Sequence, residues 1–176
     1  MIFQETQLQG CYLVELEKIV DERGGFSRSF CTEEFKSHGL QPTILQCNIS
    51  FNQHKGTVRG MHFQKAPKSE AKLVRCTKGA IYDVALDLRA ESPTYCQWIG
   101  IELREDNGKM LYIPEGFAHG FQSLEDDTEV FYQMSESYSP EHSTGVKWND
   151  SCFGIELPLE ITCISDKDLN YSDFSP

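Results

Sequence analysis

Apolar and polar residues alternate along this chain in short runs, and almost none of the runs is long enough for a helix. Period-two alternation predicts strands over residues 8–16 (LQGCYLVEL) and 26–30 (FSRSF), joined through DERGG at 21–25, where Gly and Asp favour a turn. Residues 43–51 (TILQCNISF) set Gln46, Asn48 and Ser50 on one face and Leu45, Cys47, Ile49 and Phe51 on the other. Such a row of amides faces either solvent or a ligand, and the pattern alone leaves both open. Further strands are predicted at 80–88, 95–103, 110–113, 120–124 and 130–134. One sizeable helix is predicted in the first half, opening on Thr32 as cap with Glu33 and Glu34 in its first turn and closing at Gly39. Short strands at roughly ten-residue spacing, punctuated by Gly and Pro, predict a single all-β domain of sandwich, barrel or jelly-roll type with a few short helices. The segment after Ser165 (DKDLNYSDFSP) reads as a polar tail.

Composition narrows the function. The 176 residues are 39% hydrophobic and 11% aromatic, enough for one ordinary core, and the formal net charge is -11. A field of that sign argues against a nucleic-acid or anionic-membrane partner. No stretch approaches the roughly 20 apolar residues of a membrane span, and the start lacks a signal pattern, so a cytoplasmic protein is expected. Seven cysteines, scattered and without a C-x-x-C pair, predict reduced and mostly buried thiols rather than a disulfide framework or a zinc knuckle.

Against the acidic background stands a basic stretch. Lys55, Arg59, Lys65, Lys68, Lys72, Arg75 and Lys78 surround one acid, Glu70. Within it, Arg59, His62 and Lys72 fall in strand-like sequence, and a guanidinium, an imidazole and an ammonium around one opening would make an anion site with a titrating base. A solvated basic surface is the alternative.

Gly108, Pro114, Gly116 and His119 form G-x5-P-x-G-x2-H, which resembles the second motif of the cupins, a jelly-roll family. The first cupin motif, G-x5-H-x-H, is present as Gly56-x5-His62-x-Gln64, with glutamine in place of the second histidine. His62 and His119 without that ligand make a poor metal set, so the chain resembles a cupin without its metal. The resemblance then narrows. RGMHFQ at 59–64, KLV at 72–74, GAIYDV at 79–84, DLR at 87–89, SPT at 92–94, IPEGFAHGF at 113–121 and SDKD at 165–168 follow the order of the dTDP-4-dehydrorhamnose 3,5-epimerases. That resemblance spans nearly the whole chain. It implies a cupin-type jelly roll (double-stranded β-helix), a homodimer with exchanged N-terminal strands, and neither metal nor organic cofactor.

Epimerising a carbon beside a ketone needs a base, a group to hold the enolate, and an acid on the opposite face. Neutral imidazole suits the first task, since its ordinary pKa of about 6.5 lies near working pH. The resemblance assigns the base to His62, its orientation to Asp168, the enolate oxygen to Lys72 and the acid to Tyr132. It assigns substrate contacts to His119, Arg59, Lys167, Gln46, Asn48 and Tyr138, with Arg23 and Phe26 reaching across from a partner subunit. Taken alone, Tyr132 reads as a core aromatic, Asp168 as a solvated acid and Tyr138 as a turn residue before Pro140.

The chain departs from the family pattern twice, at Arg28 and Ser143, where the family commonly carries glutamates. Both fall among nucleotide-handling residues. A guanidinium in place of an acceptor would suit cytosine better than thymine, so a cytidine-activated sugar, with inversion at one carbon only, stands as the alternative substrate. A non-catalytic sugar-nucleotide-binding cupin stands as the alternative class.

Overall fold

The computed structural model describes residues 1–175. Its first sheet runs in the order β1 (Ile2–Glu5), β2 (Tyr12–Glu15), β10 (Lys109–Ile113), β7 (Lys72–Lys78), β12 (Thr128–Met134), β5 (Gln46–Asn52). The second runs β13 (Ser143–Gly145), β6 (Thr57–Gln64), β11 (Phe117–Ser123), β8 (Ala80–Asp87), β9 (Trp98–Arg104), with β14 (Cys163–Ile164) parallel to β6. A two-stranded hairpin, β3 (Ile19–Asp21) with β4 (Gly24–Phe26), stands apart. Two helices complete the chain, α1 (Thr32–Ser37) and α2 (Asp166–Leu169). Sequence-distant strands are neighbours in both antiparallel sheets, which is the connectivity of the expected jelly roll.

Three apolar clusters follow from strand alternation. Between the sheets, Val74, Leu111 and Val130 of the first pack with Ile81, Ala85, Leu103 and Phe117 of the second. Behind the first sheet, Val14, Leu73, Met110 and Tyr112 are covered by Phe35 of α1. Behind the second, Met61, Val84, Leu86 and Ala118 are covered by Val146, Phe153 and Ile155 of the C-terminal loops. Each central strand is thus buried on both faces, while one end of the gap between the sheets stays open.

Several predicted boundaries are corrected. The strand expected over 8–16 begins at Tyr12, because residues 6–11 form a turn in which Thr6 Oγ1 donates to the Cys11 carbonyl at 2.9 Å. A further strand, β1, precedes it; its four residues, IFQE, are few and show no period-two alternation. The strand expected over 26–30 stops at Phe26. The α1 cap is Cys31, without a side-chain cap bond, and Thr32 lies inside the helix. Residues 95–97 belong to a turn, and β9 starts at Trp98.

The cysteines are all free, yet only Cys11 and Cys76 are buried; Cys47, Cys152 and Cys163 are exposed. They sit on an outward strand face, in a turn and at a sheet margin, where strand alternation places no core. Burial pushes the Cys11 thiol up to about 12 and that of Cys76 to about 11. The residues after Ser165 are no solvated tail either. Ser165 Oγ caps α2 by accepting the Asp168 amide at 3.1 Å, and Phe174 packs on Phe153 with ring centroids 4.9 Å apart.

Candidate active site

The open end of the sandwich is a pocket of about 490 Å³. Inward positions of β5 supply Gln46, Asn48 and Ser50, those of β12 Tyr132 and Met134, and the start of β7 supplies Lys72. The row of amides therefore faces the pocket. The apolar row behind it, Leu45, Ile49 and Phe51, faces outward at 57%, 51% and 69% exposure. On the opposite wall stand Arg59, His62 and Gln64 of β6 and His119 and Phe121 of β11. Tyr138, Ser143 and Lys167 close the rim.

Strict alternation along β6 would point Arg59 away from His62. The register resolves this: His119 pairs with His62 and Phe121 with Arg59, so β6 holds one residue more than β11 across the same stretch. The extra residue returns Arg59 to the inner face. Two glycines permit the irregularity. Gly60 has φ +130°, and a Cβ there would lie 2.5 Å from Gly120 Cα; a Cβ on Gly120 would meet Arg59 O at 2.7 Å.

Two histidine–carboxylate pairs face each other across this register. His62 Nε2 lies 2.7 Å from Asp168 Oδ1. An ionised carboxylate only accepts, so Nε2 carries the hydrogen and Nδ1 keeps its lone pair for a proton. Asp168 Oδ2 accepts the Gly60 amide at 3.2 Å. Burial acts to raise the Asp168 carboxyl, but the bonds from His62, Gly60 and Ser165 outweigh it and hold the group below its ordinary value. His119 Nε2 lies 2.7 Å from Asp83 Oδ1, and Asp83 is fully buried.

The cations are held as firmly. Lys72 Nζ donates to the His62 carbonyl at 3.3 Å and lies 3.1 Å from Glu70 Oε1, with both side chains nine-tenths buried. Arg59 Nε donates to Asn52 Oδ1 at 2.7 Å and Nη2 to the Phe51 carbonyl at 3.1 Å, which fixes the guanidinium plane. Tyr132 is half-buried, and burial raises its phenol above the ordinary value despite Arg59, which acts to lower it. A phenol so placed stays protonated and can donate. Imidazole base, ammonium and phenol around one cavity form the apparatus for moving a proton to and from carbon.

Gln64, at the cupin ligand position, is fully engaged elsewhere: Nε2 donates to the Lys68 and Ser137 carbonyls at 2.8 and 3.3 Å, and Oε1 accepts the Ser139 amide at 2.6 Å. It clamps the loop that carries Tyr138, whose own amide donates to Gln46 Oε1 at 2.9 Å. Among the described residues, no group of three or more His, Cys, Asp and Glu side chains is arranged to hold a metal ion.

Arg23, Phe26 and Arg28 do not line this pocket. Arg23 is bonded to Asp21 across its own turn, and Phe26 is 72% exposed on the projecting hairpin. Arg28 Nη1 donates to Glu34 Oε1 at 2.6 Å, and the other oxygen of Glu34 binds the N-terminal ammonium. Within the chain the charge of Arg28 is answered by Glu34, and the side chain stays largely exposed. Of the seven cations in the basic stretch only Arg59 and Lys72 reach the pocket, because Lys68 turns to Glu136 and the others point elsewhere. Sequence reasoning missed Asp83, although an acid in the apolar run AIYDVALDL at an inward position signals a buried partner. It also passed over Glu70 as a pocket residue.

An imidazole held by a carboxylate, a buried ammonium and a protonated phenol, gathered in the mouth of a cupin-type jelly roll, are the groups with which a carbohydrate epimerase moves protons on carbon. A sequence model described as dTDP-4-dehydrorhamnose 3,5-epimerase matches residues 5–175. The chain belongs to the dTDP-4-dehydrorhamnose 3,5-epimerase family and is an isomerase. It is 43% identical to the enzyme of that name from Sinorhizobium fredii over 169 residues, 96% of this chain and 87% of the relative. Identity is again 43% with the Methanothermobacter thermautotrophicus enzyme over 172 residues, 96% of this chain and 92% of that one. The crystal structure of the Bacillus anthracis enzyme with TDP and PPi bound superposes with a TM-score of 0.94 at 40% identity, covering 98% of this chain and 99% of that one.

Proposed function

We propose that this epimerase acts on a thymidine-diphosphate 4-keto-6-deoxyhexose and inverts C3 and C5 in deoxysugar synthesis for surface polysaccharide. The observation that carries the reading is the His62–Asp168 pair at 2.7 Å beside Lys72 in one pocket with Tyr132. His62 Nδ1 takes the proton from the carbon beside the ketone, and Asp168 stabilises the imidazolium through Nε2–H. Lys72 holds the enolate oxygen. Tyr132 returns a proton to the other face. Both α-carbons flank the same ketone, so one base serves both once the ring turns.

The diphosphate would meet Arg59 and Lys167, and the base would lie against the ring of Tyr138, beside Gln46 and Asn48. His119, fixed by Asp83, and Ser143 contact the sugar and its linkage. TDP in the Bacillus anthracis structure and the shared name of the relatives favour thymidine over cytidine, and they favour a two-carbon enzyme over a single-carbon one or a binding module. Since Gln64 is occupied in clamping the loop, activity should survive exhaustive chelation; a stoichiometric metal whose removal abolishes activity and whose return restores it would contradict this.

The working form is proposed to be a homodimer. The hairpin β3–β4 exposes Ile19, Val20 and Phe26, and the outward face of β5 exposes Ile49 and Phe51, apolar surface that a second copy would cover. The exposed hairpin β3–β4 is the N-terminal pair of strands that would be exchanged, β1 being paired with β2. Arg23 and Phe26 would then reach the partner's pocket. Seven free cysteines, three of them exposed, suit a reducing cytoplasm. The test of the whole reading is solvent-deuterium incorporation at C3 and C5 of the 4-keto substrate.

A further inference from the structure

Glu70, the acid inside the basic stretch, is the least explained residue of the pocket. Its side chain is 3% exposed, Oε1 lies 3.1 Å from Lys72 Nζ, and Oε2 is buried without a hydrogen-bond partner. Buried carboxylate oxygens in that condition are rare because desolvation is not repaid. The backbone holds Glu70 in place: the Ala71 amide donates to Ser135 Oγ at 2.8 Å, and the Ser135 amide donates to the Ala71 carbonyl at 3.0 Å. Lys72 has three ammonium hydrogens, and Glu70 and the His62 carbonyl accept two of them. One donor on Lys72 and one acceptor on Glu70 therefore remain, on two paired residues that both line the pocket.

A donor next to an acceptor matches a carbonyl next to a hydroxyl on adjacent carbons. We propose that Glu70 and Lys72 together read the α-hydroxyketone of the sugar, Lys72 holding the C4 oxygen and Glu70 Oε2 accepting the hydrogen of the C3 hydroxyl. In a 4-keto-6-deoxyhexose the C3 hydroxyl is the one hydroxyl adjacent to the ketone, since C5 bears the ring oxygen and a methyl group. The contact fixes which flank of the ketone is C3. This inference rests on the proposed substrate class and adds Glu70 as a specificity-determining residue.

The test compares deuterium exchange at C5, a position common to both compounds, for thymidine-diphosphate 4-keto-6-deoxyglucose and its 3-deoxy counterpart. The wild-type kcat/KM should fall roughly ten- to a hundredfold on the 3-deoxy compound, the effect of losing a hydrogen bond to a charged acceptor. In Glu70→Met the two compounds should exchange within about threefold of each other, whatever the absolute rate, because only a weak thioether acceptor remains. Glu70→Gln, which preserves shape, should show an intermediate ratio, since a neutral acceptor is roughly half as strong. Each ratio is taken within one protein and is independent of the fraction folded. A 2-deoxy counterpart should give the same ratio in wild type and variants. Undiminished discrimination against the 3-deoxy compound in Glu70→Met, or none in wild type, would overturn the assignment. Absence of wild-type exchange on the hydroxylated substrate would instead overturn the proposed function.

Discussion

His62 and Asp168 lie 106 positions apart in sequence and 2.7 Å apart in space. That contact makes the central residues testable one at a time. Asp168→Asn keeps the shape but offers an amide that can donate to Nε2, turning the imidazole to the wrong tautomer; kcat should fall by roughly a hundredfold or more, with little change in KM. A matching rise in KM with kcat intact would place Asp168 in binding instead. The same substitution bears on stability. A carboxyl held below its ordinary value stabilises the fold above the unfolded-state pKa of about 3.9 and loses that contribution as pH falls through the lower folded value. Thermal unfolding of Asp168→Asn should accordingly depend less on pH below about 4 than that of wild type. Tyr132→Phe should let deuterium enter from the starting face while inversion fails, and unimpaired inversion would assign the acid to another group. At this scale the chemistry-bearing residue types were legible, but their neighbours were not. Nothing local marks Asp168 as buried, since the helix that buries it is four residues long and is ordered by one serine cap.

Among the elements, β6 and β11 decide the geometry. Their bulge turns Arg59 onto the face of His62, and it exists because Gly60 and Gly120 let two backbones touch. Gly120→Ala should destabilise the fold by on the order of 3 kcal/mol in denaturant titration and should depress activity beyond the loss of folded protein, since Arg59 and His62 can no longer share a face. A variant of wild-type stability would show that the strands can part at no penalty. Alternation located β5, β8, β10, β11 and β12 to within a few residues. It failed at β1 and at the segment after Phe26. β1 is four residues long with its two apolar residues adjacent, so it carries no period, and FSRSF alternates without a partner strand to pair with. A bulge leaves no period at all, so residue types hint at a common face for Arg59 and His62 while strict alternation points the two apart.

For the whole molecule, the notable surface is apolar. Ile19, Val20 and Phe26 are 71%, 68% and 72% exposed on a hairpin held only by itself. Phe26→Asp should shift the protein from dimer to monomer in light scattering and raise KM more than it lowers kcat, because the hairpin would carry nucleotide contacts and not the base. A wild-type protein that is monomeric at micromolar concentration would contradict the exchange. Cupin class was readable in the order of the motifs, whereas the outward row of Leu45, Ile49 and Phe51 was not readable as surface, since an apolar strand face ordinarily marks a core.

The central claim is that one imidazole takes protons from carbon on both sides of a ketone. It is tested most directly by incubating wild type and His62→Ala with thymidine-diphosphate 4-keto-6-deoxyglucose in deuterated water and locating the label by NMR. The account predicts deuterium at C3 and C5 with wild type and at neither carbon with the variant, whose circular dichroism should match wild type. Label at either carbon with His62→Ala above about a tenth of the wild-type rate, against the loss of roughly 10²–10⁴-fold that removal of a general base brings, would contradict it.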